Sequence, residues 1–173
     1  TTIDDTTVTT TLANVSGTDV ISLTSTETTA DATALVALAG KVATADAKAF
    51  ASVTTITEDA ATVGTDGANV VAALNIAGND AAVNITDTIS AVSLDAIANA
   101  TSKVVTAALA ANTEISDATV TALSHVNAAD VITLNSTVVT ADASALVPLN
   151  ALTDTHTYTL TTITETAASV ATV

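Results

Sequence analysis

Short stretches in which an apolar residue alternates with threonine, serine or asparagine recur along the chain: "VISLT" (Val20 to Thr24), "AVNIT" (Ala82 to Thr86), "VITLN" (Val131 to Asn135) and "TYTLTTIT" (Thr157 to Thr164). Period-two alternation of β-branched residues predicts half-buried strands. The period then changes. In "TADATALVAL" (Thr29 to Leu38), Ala34, Leu35 and Leu38 fall on one side of a helix, as do Ala145, Leu146 and Leu149 later, and Leu94, Ile97 and Ala98 between them. Thr29 and Thr140 stand where an N-cap is wanted. Asp31 and Asp142 fall in the first turn, where negative charge meets the positive end of the helix dipole, and Asp117 does the same after Ser116. Gly40, Gly64, Gly67 and Gly78 read as turns out of elements.

The same phrases return. Aligning Asp19 with Asp130 pairs "VISLTSTETTADATALVAL" (Val20 to Leu38) with "VITLNSTVVTADASALVPL" (Val131 to Leu149), and the match resumes with "VTTITEDAATV" (Val53 to Val63) against "LTTITETAASV" (Leu160 to Val170). A more diverged copy starts at "AAVNITDTISAVSLDAIANATSKV" (Ala81 to Val104) and continues through "TEISDATVTALSHV" (Thr113 to Val126). These copies divide the chain into repeats over residues 19–80, 81–129 and 130–173, with residues 1–18 as the tail of a preceding one, in one continuous elongated domain. "TTI" at Thr1 to Ile3 falls in the phase of Thr54 to Ile56 and Thr161 to Ile163, so the chain opens and closes mid-repeat, as a segment of a longer array would. Alternating short strands and short helices predict an α/β repeat solenoid with parallel strands, each unit leaning on its neighbour. The alternative is an all-β, Thr-rich β-helix, since periodicity alone does not separate short Ala/Val segments.

Composition narrows the partners. Among 173 residues, 49% are hydrophobic, yet Phe50 and Tyr158 are the only aromatics, so a core of Ala, Val, Leu and Ile must be built in thin layers. That hydrophobic share, with a mean hydropathy of +0.56, separates the chain from acidic disordered sequences. Eighteen acids face Lys41, Lys48 and Lys103, with no arginine and a formal charge of −15. Nucleic acid and anionic membrane surfaces, which are held by clustered basic residues, are excluded as partners, while cations are attracted. The longest apolar runs, such as "VVTAALAA" (Val104 to Ala111), are far too short for membrane insertion. Absence of cysteine removes disulfides and thiolate chemistry. The opening "TTIDD" lacks both an initiator methionine and a basic leader, so the expectation is that a leader has been removed or that the chain is part of something longer.

With "VTTITEDAATV", the pattern "ITDT" (Ile85 to Thr88) followed by "LDAIANATSKVVTA" (Leu94 to Ala107) resembles the Thr/Ala/Asp-rich tandem repeats of very large secreted cell-surface proteins of cyanobacteria and other Gram-negative bacteria. The resemblance covers most of the chain and implies a secreted, extracellular or cell-surface protein, a scaffold in adhesins, surface layers or extracellular filaments. Such repeats often stand beside calcium-binding nonapeptide arrays. The Gly-Gly-x-Gly-x-Asp signature of those arrays is absent here, so no residue inherits calcium binding from the family.

Candidate chemistry is sparse. A nucleophile–base–acid triad needs histidine, and only His125 and His156 are present; Ser124 beside His125 would point elsewhere if both lay on a helix. Two histidines without cysteine are thin for zinc. Hard cations want several converging oxygens, and the candidate ligands are Asp4, Asp5, Asp66, Asn69, Asn79 and Asp80, with calcium as the cation they would take, although none reproduces an EF-hand loop. No Walker-type phosphate loop occurs, and three lysines leave phosphate-handling catalysis few electrophilic groups. Sequons at Asn14, Asn84, Asn99 and Asn135 arise readily in Thr-rich sequence. The expected function is therefore a structural repeat module of an extracellular filament, surface layer or adhesin, not an enzyme, whose partners are copies of itself, head to tail, with divalent cations or surface glycans as further ligands. The alternative is a surface module that binds a cation, a glycan or ice without catalysis.

Overall fold

A computed structural model describes residues 3–4, 6–16, 26–41, 50, 52–59, 66–77, 80–109, 114–135, 140–152, 155–157 and 160–165. A π-helical turn at Thr7–Thr11 opens the described chain. There follow β1 (Thr29–Asp31), α1 (Ala32–Lys41), β2 (Thr55–Glu58), α2 (Asp66–Ala77), β3 (Ala82–Ile89), α3 (Ala91–Ala100), β4 (Val105–Leu109), β5 (Glu114–Ile115) and α4 (Asp117–Thr121). The last are β6 (Val131–Asn135), β7 (Thr140–Asp142), α5 (Ala143–Leu152), β8 (Thr155–Thr157) and β9 (Thr162–Thr164). The fold is α/β, with parallel strands alternating with helices, and the five α-helices among the described residues set aside the all-β alternative.

Pairing follows chain order. One sheet runs β1-β2-β3-β4-β6-β8 and the other β5-β7-β9, and every pairing is parallel. Parallel neighbours need a crossover between them, and a short helix supplies it at most steps. Thr29 faces Thr55, Thr55 faces Ala82, Thr106 faces Val131 and Thr133 faces Thr155, steps of roughly 22 to 27 residues, enough for one strand, one short helix and two turns. Between Asn84 and Thr88 the register against β4 slips by a bulge, and Asp87 there accepts the Thr88 N–H at 2.7 Å.

The core is a ladder of small and β-branched side chains. Ile3 bridges to Ala30, Ala30 faces Ile56, Ile56 faces Val83 and Val83 faces Val105, and all five are buried. Helices close it from one side with Ala34, Leu35 and Leu38 of α1, Val70, Ala73 and Leu74 of α2, and Leu94 and Ile97 of α3, each packed against the next helix or the sheet. Burying one such Ile or Leu is worth about 1.5–3 kcal/mol. Threonine suits the strands because its methyl packs while its hydroxyl reaches back one strand: Thr54 Oγ1 donates to Thr28 O, Thr57 to Ala30 O, Thr86 to Glu58 O and Thr164 to Ala141 O, each at 3.3 Å.

Several expectations change. Thr29 and Thr140 are strand residues, and the caps are Asp31 and Asp142, because pairing carries the strand two residues further before the helix begins. Gly40 lies within α1, and Gly67 lies in the first turn of α2, where a Cβ would stand 2.7 Å from the Ser93 Cβ of α3. Gly67 is thus a close approach between helices, not a turn. "TYTLTTIT" holds only the last residue of β8, Thr157, and the whole of β9, which lie in different sheets, with residues 158–159 outside the described residues. "VISLT", Gly64 and Gly78 also lie outside them. The matched segments β1–β2 and β7–β9 keep the same register, Thr29 on Thr55 and Thr140 on Thr162, yet belong to different sheets.

Candidate functional site

Of the candidate cation ligands, the three whose side chains are described, Asp4, Asn69 and Asp80, each make their own hydrogen bonds. Asp4 Oδ1 accepts the Thr7 N–H at 2.7 Å and so caps the π-helical turn. Asn69, on α2, donates from Nδ2 to Thr33 Oγ1 at 3.1 Å. Asp66 begins α2, with its side chain outside the described residues, as are Asp5 and Asn79. Asp80 staples the loop ahead of β4: its Oδ1 accepts from Thr101 Oγ1 at 2.6 Å and from the Ser102 N–H at 2.7 Å, and its Oδ2 from Ser102 Oγ. Those hydrogen bonds, Ser102's hydroxyl foremost, hold its carboxyl down at about 2. Among the described residues no three His, Asp or Glu side chains gather into a metal-sized group. The outward line across the larger sheet reads Asp31, Thr57, Asn84, Thr106 and Val131 in register, so no unbroken threonine array forms along it.

The carboxylates that do converge do so on helix starts. Asp31 Oδ1 accepts the Ala34 N–H at 2.8 Å. One strand later, Glu58 at the end of β2 reaches back, and its Oε2 accepts from the Thr33 N–H at 3.1 Å and from Thr33 Oγ1 at 2.7 Å. The second copy repeats the device: Asp142 Oδ1 accepts from Ser144 N–H at 3.0 Å and from Ser144 Oγ at 2.7 Å, and Glu165 Oε2 from the same N–H at 2.9 Å. Free amides and the helix dipole make the first turn the natural seat for negative charge. A glutamate from the following strand thus ties two units together. Glu58 is 4% exposed. Asp130, 3% exposed, does similar service between strands, accepting from the Val105 N–H at 2.9 Å and the Asn127 N–H at 3.0 Å. Sequence reasoning passed over Glu58, Glu165 and Asp130; the signal was their place in the repeats, since "TITE" occurs in both copies and Asp130 aligns with Asp19.

Ser124 and His125 follow α4 in a turn, not on a helix, and Ser124 Oγ lies 3.2 Å from His125 Nδ1. Asp95 of α3 meets them: its Oδ1 accepts the His125 backbone N–H at 2.6 Å, and its Oδ2 lies 2.9 Å from the same Nδ1. Burial works to raise the Asp95 carboxyl, but the hydrogen bonds from His125's backbone and ring, with its charge and Ser124, hold it below the ordinary value. An ionised carboxylate only accepts, so Nδ1 carries the proton there and is not free to take one from Ser124. A relay needs serine and aspartate on opposite ring nitrogens. The three residues form a surface clasp between α3 and the turn after α4. His156 has its side chain outside the described residues.

No protein-family model, no curated protein and no solved structure matches this chain.

Proposed function

We propose that the chain is a structural repeat module of an extracellular filament, surface layer or adhesin, and that it acts by head-to-tail self-association, its strand–helix units stacked as a solenoid. The observation that supports this is the pairing order: in both sheets each strand lies parallel beside that of the next unit in line, at steps of roughly 22 to 27 residues. Such a stack buries a continuous core by adding units and has no natural last member. Head-to-tail contacts that do not close extend into a fibre. A charge of −15 keeps neighbouring fibres apart and draws cations to their surface. The extracellular placement comes from the resemblance and the composition together.

The test is electron microscopy and sedimentation of the native material, with and without a calcium chelator. Filaments or lattices whose axial repeat matches this chain are the expected result. Loss of order on chelation would add divalent cations as interface ligands, and monomers at every concentration in both conditions would overturn the reading.

A further inference from the structure

Asp95 holds His125 at two points. Its Oδ1 accepts the His125 backbone N–H at 2.6 Å, and its Oδ2 lies 2.9 Å from ring Nδ1. One carboxylate thus ties the main chain and the imidazole of the same residue, which fixes the orientation of the ring against α3. The same geometry decides where the ring proton sits. Because an ionised carboxylate only accepts, Nδ1 carries the hydrogen, and in the neutral ring Nε2 keeps a bare lone pair.

Nε2 is left to solvent. The hydrogen bonds of His125 among the described residues run through its backbone N–H and Nδ1, so none of them occupies the second ring nitrogen. The His125 side chain is 49% exposed and that of Asp95 19%, so the carboxylate is the sheltered partner and the ring the outward one. Metal-ligating histidines are built in this way: the other ring N–H is donated to a carboxylate, carbonyl or water, which fixes the tautomer and strengthens the free nitrogen as a donor. Neutral imidazole suits zinc, copper and nickel, whereas calcium and magnesium take oxygen ligands. The charge of −15 raises the concentration of cations near the surface.

We propose that His125 Nε2 is a coordination site for a divalent transition-metal ion, with Asp95 as the positioning residue that holds the ring in the ligating tautomer. The protein offers one nitrogen there, since no three His, Asp or Glu side chains gather among the described residues. Water therefore fills the remaining positions, and the ion exchanges readily. The site differs in chemistry from the oxygen-ligand calcium sites expected from the sequence, and it does not depend on self-association.

The experiment is side-chain nitrogen-15 NMR of the chain at mildly alkaline pH, with zinc chloride or calcium chloride added, because it reads tautomer and coordination at each histidine separately. The expected parent shows His125 protonated at Nδ1, with an Nε2 resonance that zinc moves and calcium does not. Asp95→Asn sharpens the test. Its amide oxygen can keep the backbone N–H of His125, but its NH2 then faces Nδ1 as a donor and drives the ring proton to Nε2. The variant is expected to change tautomer and to lose about tenfold or more in zinc affinity at His125, with circular dichroism unchanged. A parent ring protonated at Nε2, or zinc shifts confined to the carboxylates, would overturn the site. Zinc affinity at His125 that Asp95→Asn left unchanged would overturn the positioning role of Asp95, and with it the proposal.

Discussion

In Thr29–Glu58 and Thr140–Glu165, an aspartate caps a helix, the next strand returns in parallel register, and a glutamate at its end reaches back to the helix start. The two stretches differ in what lies beyond them. The first is covered by α2 and β3, and its Leu35 is fully buried. In the second the counterpart Leu146 is partly buried, and Pro148 stands inside the helix where the first has Ala37. Proline removes an internal hydrogen bond. Local sequence therefore sets caps and register, whereas burial is set by the neighbouring unit.

The sharpest way to break this comparison is to truncate the matched isoleucines. Ile56→Ala removes a fully buried side chain and is expected to cost about 2–5 kcal/mol in urea unfolding. Ile163→Ala, at a side chain 61% exposed and measured at concentrations too low for assembly, is expected to change stability by less than about 0.5 kcal/mol. Equal losses would mean that Ile163 is covered within the single chain and that the two units do not differ as described.

The glutamates offer a finer test. In the first unit two carboxylates serve two amides, Asp31 on Ala34 and Glu58 on Thr33, and Glu58 is buried. In the second, Asp142 and Glu165 share the Ser144 amide, so losing Glu165 leaves that amide an acceptor. Glu58→Ala is expected to cost about 1–3 kcal/mol, since it strands a desolvated donor. Glu165→Ala is expected to cost about 0.5 kcal/mol, near the low end for a lost cap. A reversed order, read from the same unfolding curves, would mean that sharing strengthens the cap.

Much of this architecture was legible before the structure. Alternation located β3 and β6, helical spacing located the buried sides of α1 and α3, and the order of elements implied parallel pairing. The caps were misplaced by two residues because threonine and aspartate both cap well, and only strand pairing shows that Thr29 is still extended. Glu58 and Asp130 look like solvated acids in one dimension, and their burial depends on a backbone amide brought in from another unit. Assignment of matching strands to different sheets has no local signal. Pairing depends on which strand arrives next, and that lies many residues away.

The comparison extends to the turns that follow the π-helical turn at Thr7–Thr11 and α4. Val15 N–H donates to Leu12 O at 3.0 Å and Val126 N–H to Leu123 O at 3.2 Å, which sets Ala13 and Asn14 where Ser124 and His125 stand. All four residues are exposed, but Ser124 and His125 are clasped by Asp95. Because the folded protein holds the Asp95 carboxyl below its ordinary value, folding favours the ionised form. Its contribution is fully present above about pH 4, the unfolded value, and is lost as pH falls through the lower folded value. The group sits near the surface, so the effect is expected to be under about 1 kcal/mol. Thermal unfolding of the parent and of Asp95→Asn from neutral to strongly acid pH reads it directly. The parent's advantage over the variant should shrink below about pH 4. A gap that stayed constant across that range would show that the clasp holds by shape and neutral hydrogen bonds, leaving Asp95's charge without a part in joining the units.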